Sequence, residues 1–229
     1  MRKNISDTTY LLDYLGFTIH PDKSVLKPTQ IITCLVFIID SRNMCVRLTE
    51  ERANNIVEMA SDLIKKRCVT IRQFAQVIGK LVAAEPGVEF ATLYTKSLEI
   101  SKDKVLKENK GNFDAKLCLT NGNIIDLTWC NNNVKTALKS LTRQEPTMIL
   151  KTDSSQHGWG GVVKNTVLNK KGYWSYEEQK YHINYLELKA AFLCVKHFCS
   201  TKSDIHVKVF MDNMVAVNYI NKMGVRIKI

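Results

Sequence analysis

The fold of this chain is decided by three short stretches that each contain one acidic residue: ILKTD (149–153), NYLEL (184–188) and VFMDN (209–213). Asp153 and Asp212 each close a short apolar run that predicts a buried strand, whereas Glu187 lies among apolar residues at helical spacing. A carboxylate at the edge of an apolar element costs solvation free energy unless a cation meets it. Carried on strand, helix and strand, the three side chains can converge on one point. Such an all-oxygen pocket suits a hard divalent cation, Mg²⁺ or Mn²⁺.

The residues around the acids predict a mixed arrangement of strands and helices. The strand that carries Asp153 is followed by a polar, Gly-rich turn and a second, apolar strand that ends at Val163. The later predicted elements are a turn at Lys170–Gly172, a strand at Tyr173–Tyr176, a helix at Asn184–His197, a strand at Ile205–Met211 and a helix from about Asn213 to Lys222. The order is therefore β-β-β-α-β-α, with the acids on the first strand, the first helix and the fourth strand.

This order resembles ribonuclease H, and three motifs carry the resemblance: TDSSQHGWGGVV (152–163), NYLELKAAFLCVKHF (184–198) and FMDNMVAVNYINKMG (210–224). They are most similar to the ribonuclease H segment of retrotransposon reverse transcriptases, first of DIRS-type and then of gypsy-like elements. The resemblance implies an α/β fold with a ribonuclease H-like mixed sheet. It also implies metal-dependent hydrolysis of the RNA strand of RNA–DNA hybrids, with Asp153, Glu187 and Asp212 as the catalytic residues and Mg²⁺ (or Mn²⁺) ligands.

Each acid also has a plain structural interpretation. Asp153 is suited to cap a turn through its side chain, Asp212 to cap the helix that follows it, and Glu187 to lie at the surface. For two neighbours of the acids, Asn213 and His157, we favour a helix cap and a turn residue over a role in positioning water or phosphate.

The charge of the chain favours a polyanionic partner. Its 33 Lys and Arg residues exceed its 22 Asp and Glu residues, which gives a net charge of +11 and a pI near 9.3. A basic protein around an acidic pocket suits nucleic acid, whose phosphates it attracts while metal ions neutralise the cleft. The lysines predicted to contact nucleic acid are Lys23, Lys96, Lys102, Lys104 and Lys107. Those from Lys96 onwards are predicted either as a phosphate track or as the solvated face of a helix.

The first 146 residues predict two hairpin strands followed by helices. Ile31–Ile39 and Met44–Leu48 are the predicted strands, after an earlier strand at Leu15–Ile19. A helix from Thr49 to about Lys66 starts with acidic residues at its positive end. The next helix begins with a Thr70–Gln73 capping box. Its predicted buried face is Phe74, Val77, Ile78 and Leu81, and a third helix is predicted from Val88 to about Lys107.

This part of the chain resembles the same polyprotein. LGFTIHPDKSVLKPTQ (15–30) is similar to the late palm of reverse transcriptases, and IITCLVFIIDS (31–41) to the primer-grip hairpin, with Val36 where relatives commonly carry Gly. The helices would then form the thumb. The implied domains are the end of the palm at 1–48, the thumb or connection at 49–146, and the ribonuclease H-like domain at 147–229, with other parts of a retroelement polyprotein as possible partners.

Two absences shape the functional expectation. The sequence has no Tyr-x-Asp-Asp motif, so polymerase activity is not expected. It also ends soon after Asp212, so we expect a fragment whose domain lacks its last strand and a last helix with a fourth carboxylate, and whose hydrolysis is impaired. The alternatives are a non-catalytic nucleic-acid-binding remnant and, less favoured, a transposase or integrase of the same fold.

Seven cysteines, odd in number and without a CxxC pair, predict neither a disulfide framework nor a zinc site. We therefore expect a reducing, intracellular location, cytoplasmic or nuclear. The longest apolar stretch, Ile31–Ile39, is too short to span a membrane, so no membrane association is expected.

Overall fold

The computed structural model describes residues 2–142 and 145–223. The chain divides into two compact units, one made of Met1–Ala91 and Asn109–Thr142, the other of Thr92–Glu108 and Arg143–Ile229. Helices and several sheets occur together, which confirms the mixed α/β class. None of the described helices has the length and apolar character that crossing a membrane requires. The predicted boundaries at residues 48 and 146 stay a prediction.

The described residues form seven α-helices and ten strands. The helices are α1 (Arg2–Tyr14), α2 (Glu50–Lys66), α3 (Ile71–Ala84), α4 (Ala91–Glu108), α5 (Asn121–Asn133), α6 (Ile183–Cys199) and α7 (Met214–Asn221). The strands are β1 (Ile31–Cys34), β2 (Phe37–Asp40), β3 (Cys45–Leu48), β4 (Cys68–Thr70), β5 (Lys116–Cys118), β6 (Lys139–Ser140), β7 (Met148–Ser154), β8 (Gly158–Val163), β9 (Asn169–Tyr173) and β10 (Val207–Phe210).

The predicted starts of α2 and α3 are confirmed by their caps. The Thr49 hydroxyl accepts a hydrogen bond from the Arg52 N–H at the start of α2. Thr70 and Gln73 form a reciprocal capping box at the start of α3. The four apolar residues predicted to share one face of α3 are all buried, each less than 4% exposed: Phe74, Val77, Ile78 and Leu81. Capping and burial therefore agree on where this helix begins and which face it buries.

The predicted strand at Leu15–Ile19 is wrong, because this segment ends a helix that the sequence pattern did not indicate. Gly16 lies at φ 82° and donates its N–H to the Asp13 carbonyl, while Phe17 donates to the Leu12 carbonyl. This is the hydrogen-bond pattern of a Schellman helix end, which needs a left-handed residue that glycine supplies without strain.

The predicted strand at Ile31–Ile39 is also wrong as a single element, whereas the hairpin that the resemblance implied at residues 31–41 is confirmed. It is a hairpin in which Cys34 pairs with Phe37 across a two-residue turn. Leu35 takes a left-handed φ of 56° in this turn and is exposed. The pairing of β2 with β3 is antiparallel, as predicted. The strands of this sheet follow the order β1-β2-β3-β6.

The expectation that the cysteines form no disulfide is wrong for one pair. Cys68 and Cys118 face each other on the antiparallel strands β4 and β5, and their sulfurs are bonded. Their Cα atoms are 4.1 Å apart although 50 residues separate them along the chain. The sequence reasoning missed this bond because it did not predict either of the three-residue strands that bring the two residues together. The intracellular location stays a prediction.

The sheet of the second unit has the order β10-β7-β8-β9, with β10 parallel to β7 and the other pairs antiparallel. The predicted order of three strands, helix, strand and helix is confirmed, but the third strand is β9 (Asn169–Tyr173) and the strand predicted at Tyr173–Tyr176 is wrong. The predicted turn at Lys170–Gly172 is wrong: these residues lie within β9, and Asn165, with a φ of 63°, lies in the turn instead. The apolar residues buried between this sheet and α6 are Leu150, Val163, Trp174, Leu186, Ala190 and Cys194.

Gly161 lets α6 approach the sheet closely. A Cβ atom at this position would overlap the Sγ atom of Cys194, which is fully buried. Gly161→Ala is therefore expected to lower the free energy of unfolding by about 2 kcal/mol, the usual cost of overpacking a core. The matched control is Gly160→Ala, because a Cβ there has its nearest neighbour, the Lys170 carbonyl oxygen, at 3.9 Å.

Urea denaturation followed by tryptophan fluorescence measures this difference, since Trp159 and Trp174 lie in the same unit. Adding Cys194→Ala to Gly161→Ala should restore part of the lost stability. Equal destabilisation by the two glycine substitutions would contradict the close approach of α6.

Candidate metal centre

The structure brings the three predicted acids together at one edge of the second unit's sheet. Asp153 lies near the end of β7, Glu187 lies in the second turn of α6, and Asp212 comes two residues after β10. Because β7 and β10 are parallel, their carboxyl ends lie at the same edge of the sheet. One carboxylate oxygen from each acid lies within 4.8 Å of the other two.

Glu187 is the buried member of this cluster, with only 3% of its surface exposed, whereas Asp153 and Asp212 are exposed. Its Oε1 atom accepts a hydrogen bond from the Ser154 N–H at 3.1 Å. Its Oε2 atom is buried and has no hydrogen-bond partner among the described residues. Burial, and then the negative charges of Asp212 and Asp153, raise the pKa of Glu187 to about 6, although the Ser154 N–H opposes the shift.

The Ser154 N–H ties two of the acids to one point. It donates to Asp153 Oδ1 at 2.9 Å as well as to Glu187 Oε1. Because the two carboxylates share this donor, both are held at the end of β7. Their other oxygens, Asp153 Oδ2 and Glu187 Oε2, do not receive this hydrogen bond. A buried oxygen with no partner beside two further carboxylates is a set of hard donors that a divalent cation neutralises and coordinates. The residues present therefore fit a hard divalent cation.

The turn after Asp153 is held in place from several sides. The Ser155 hydroxyl accepts hydrogen bonds from the His157 and Gly158 N–H groups, and the Ser155 carbonyl accepts from the Trp174 indole at 3.0 Å. The Gln156 side chain donates to the Tyr181 carbonyl at 3.1 Å. These bonds fix the turn between β7 and β8, and with it the end of the strand that carries Asp153.

The plain interpretations of the neighbouring residues are confirmed in part. Asn213, not Asp212, is the N-cap of α7: its Oδ1 atom accepts the Ala216 N–H at 2.9 Å. His157 is an exposed residue of the turn. The sequence reasoning missed Asn184, whose Oδ1 atom accepts a hydrogen bond from Asn213 Nδ2 at 2.8 Å. Its spacing of three residues from Glu187, which places both on one face of a helix, was the available signal.

The lysines of α4 that are predicted to contact nucleic acid differ in whether a carboxylate lies close to the ammonium group. Lys96 Nζ lies 2.8 Å from Glu99 Oε2, and Lys102 Nζ lies 3.3 Å from Asp103 Oδ1. Lys104 and Lys107 are exposed, one turn apart on the helix. Lys23 is exposed in a short 3₁₀ turn of the first unit. The contact of all five lysines with nucleic acid stays a prediction.

Basic residues that the sequence reasoning did not single out lie beside the acids. A trough of about 350 Å³ crosses β7, β8 and β9 and includes Asp153 in its lining. Gly160 lies in its lining, and a Cβ atom there would have its nearest neighbour, the Lys170 carbonyl oxygen, at 3.9 Å. The cations that line it are Lys151, Lys170 and Lys171. Positive charge therefore lies next to the acidic cluster within the same unit.

No protein-family model and no curated protein matches this chain. Solved structures that resemble it include three complexes of the foamy viral protease–reverse transcriptase, each at a low TM-score. One, of the dRH form with double-stranded DNA, has a TM-score of 0.38 and 13% sequence identity over 82% of this chain and 32% of that one. A complex with RNA/DNA hybrid has a TM-score of 0.39 and 15% identity over 87% of this chain and 26% of that one.

A second complex with double-stranded DNA has a TM-score of 0.39 and 16% identity over 83% of this chain and 38% of that one. The chain thus spans well under half the length of the proteins it resembles.

Proposed function

We propose that this chain is a retroelement-derived reverse transcriptase/ribonuclease H segment that hydrolyses the RNA strand of RNA–DNA hybrids. The observation that carries the proposal is the group of three carboxylates within 4.8 Å, one of them with a buried oxygen that lacks a partner among the described residues. The order of strands and helices around them supports a ribonuclease H-like domain. The resemblance of the three sequence motifs that carry the acids favours the DIRS-type or gypsy-like kind.

Asp153, Glu187 and Asp212 would hold Mg²⁺ or Mn²⁺. Two such ions, held together by these residues, would supply an activated water and stabilise the leaving 3′ oxygen of the scissile phosphodiester. The chain's own contribution is to fix the donors: the Ser154 N–H orients two carboxylates, and the turn after Asp153 is held by its own hydrogen bonds. The lysines of the trough, Lys151 and Lys171 among them, would attract the phosphates of the hybrid without selecting its sequence.

The experiment that tests the proposal offers four labelled substrates in Mg²⁺ and in Mn²⁺: RNA–DNA hybrid, single-stranded RNA, double-stranded RNA and double-stranded DNA. Cleavage of only the RNA strand of the hybrid, leaving 3′-hydroxyl ends, supports it. Cleavage of double-stranded DNA would favour a transposase or integrase. Binding of the hybrid without metal-dependent cleavage would favour the non-catalytic nucleic-acid-binding remnant.

Binding to hybrid is expected to weaken steeply with salt. The net charge is +11, and each phosphate that a lysine neutralises releases a counterion. Replacing both Lys104 and Lys107 with Ala should lower the slope of log affinity against log salt by about 2, since each lost contact removes roughly 0.9. The measurement is fluorescence anisotropy of a labelled hybrid over a salt series.

Lys180→Ala is the matched control for the binding prediction, because Glu177 already pairs with that lysine, which lies in the same unit and is not among the predicted contacts. It should change the slope much less per residue than the substitutions at Lys104 and Lys107. A slope near zero for the unaltered chain would contradict the prediction that α4 contacts nucleic acid. The same change in slope from all three lysine substitutions would contradict it as well.

A further inference from the structure

The hydrogen bond between Asn184 and Asn213 joins the helix and the loop that carry two of the three acids. Asn184 lies in the first turn of α6, three residues before Glu187 and on the same face. Asn213 directly follows Asp212 and starts α7. Asn213 Nδ2 donates to Asn184 Oδ1 at 2.8 Å, and both side chains are half-buried.

The orientation of the Asn213 amide is fixed by its other hydrogen bond. Its Oδ1 atom accepts the Ala216 N–H as the N-cap of α7, so its Nδ2 group must face the opposite way, towards Asn184. A flipped amide would place two donors against each other at the cap. The Asn213 side chain therefore caps α7 through its oxygen and binds Asn184 of α6 through its nitrogen.

We propose that Asn184 and Asn213 are positioning residues that hold the Asp212 carboxylate at binding distance from Glu187 before a metal ion arrives. This inference rests on the proposed metal-dependent function. Two carboxylates this close repel each other, and burial of Glu187 strengthens that repulsion. Asp212 is exposed and lies between β10 and α7, so its position depends on the residues next to it.

A neutral amide bridge is suited to this task. A basic residue in the same place would pair with the acids and compete with the metal ion, whereas the two amides hold the elements together without neutralising a carboxylate. Groups that orient metal ligands in this way commonly change metal affinity by about 10- to 100-fold when they are removed. The bridge should therefore act on metal binding more than on the stability of the fold.

Substitutions can separate the bridge from the cap. Asn184→Ala removes the bridge and leaves the cap of α7 intact. Asn213→Ser keeps an oxygen that caps α7 but removes the nitrogen that donates to Asn184. The matched control is Asn131→Ala, which removes a half-buried amide hydrogen bond of the same length, 2.8 Å to the Ser61 hydroxyl, in the first unit.

The readout is the affinity for Mn²⁺ alone, measured from the loss of the signal of free Mn²⁺ in electron paramagnetic resonance. Asp153→Asn serves to subtract non-specific binding. Asn184→Ala, Asn213→Ser and the double variant are each expected to bind Mn²⁺ about tenfold more weakly, with no further loss in the double variant.

In hydrolysis assays at limiting Mn²⁺, kcat should fall while KM for the hybrid is unchanged, and saturating Mn²⁺ should restore the rate.

The outcomes distinguish this inference from the proposed function. If the unaltered chain binds Mn²⁺ no better than Asp153→Asn does, the metal centre itself is wrong. If it binds better but both asparagine variants match it, only the bridge is wrong. A loss in Asn213→Ser without one in Asn184→Ala would assign the effect to the cap and overturn the bridge. A loss in Asn131→Ala as large as in the other variants would make the effect a general one of lost hydrogen bonds.

Discussion

Asp153→Asn is expected to reduce hydrolysis of the RNA strand of RNA–DNA hybrids by roughly a hundredfold or more in both Mg²⁺ and Mn²⁺. The substitution keeps the size of the side chain and an oxygen that can accept the Ser154 N–H, so the fold should persist. It removes one of three negative charges that would hold the metal ion. Because the ion supplies several kcal/mol of transition-state stabilisation, its loss corresponds to a fall of roughly a hundredfold or more.

Asp204→Asn is the matched control for this prediction. Asp204 is an exposed residue of the same unit, outside the cluster, with a left-handed φ of 51° that asparagine also tolerates. The control should hydrolyse the hybrid at the unaltered rate. An Asp153→Asn variant that retains activity close to the unaltered rate would point to a contaminating nuclease, and the cluster would lose its support as the catalytic site.

Much of the candidate site could be predicted from the sequence because its signals are local. Asp153 and Asp212 end short apolar runs, and such runs predict strands whose ends carry the acids. The helix that carries Glu187 has its own apolar spacing. The parallel pairing of β7 with β10 then brings the acids to one edge. Their catalytic and metal-binding roles stay predictions.

What the sequence did not indicate depends on contacts between distant residues. The hydrogen bond between Asn184 and Asn213 spans 29 positions and requires knowing how α6 faces the loop before α7. The burial of Glu187, which the sequence left open as a surface position, follows from packing of α6 against the sheet. The Cys68–Cys118 disulfide depends on two strands of three residues each, which is too short for a periodic pattern.

A local turn signal also gave a wrong prediction for part of β9. Lys170–Gly172 has the composition of a turn, yet it lies in β9, where its residues pair with Trp159, Gly160 and Gly161. Gly172 leaves room there for the Trp159 indole: a Cβ at this position would lie 2.8 Å from Trp159 Nε1. The sequence alone does not distinguish a glycine that close packing requires from a glycine that a turn requires.

Glu187→Gln is expected to stabilise the metal-free protein at neutral pH, although it removes a residue of the proposed catalytic site. The pKa of Glu187 is raised to about 6 from an ordinary value of 4.5, chiefly by burial. A raised carboxyl pKa means that the folded state binds a proton more tightly than the unfolded state does. Its contribution to stability is therefore complete below about pH 4.5 and is lost as the pH rises through about 6.

Above that window the ionised Glu187 should cost about 2 kcal/mol, since each unit of pKa corresponds to roughly 1.4 kcal/mol. Glutamine carries no charge and can still accept the Ser154 N–H. The free energy of unfolding of the variant should therefore be higher than that of the unaltered chain by up to about 2 kcal/mol at pH 8, and the two should be equal near pH 4. Urea denaturation in the presence of a chelator, followed by tryptophan fluorescence at several pH values, measures this.

Glu178→Gln is a control of opposite sign. The Lys189 ammonium group, with help from Ser175, lowers the pKa of Glu178 to about 2, so that carboxylate stabilises the fold above its unfolded pKa and the variant should be less stable at neutral pH.

Mg²⁺ should then stabilise the unaltered chain but not Glu187→Gln, because a cation offsets the repulsion that the substitution removes. If Glu187→Gln is destabilising at pH 8 without metal, the carboxylate is already compensated within the protein, and the orphaned oxygen no longer argues for a metal ion.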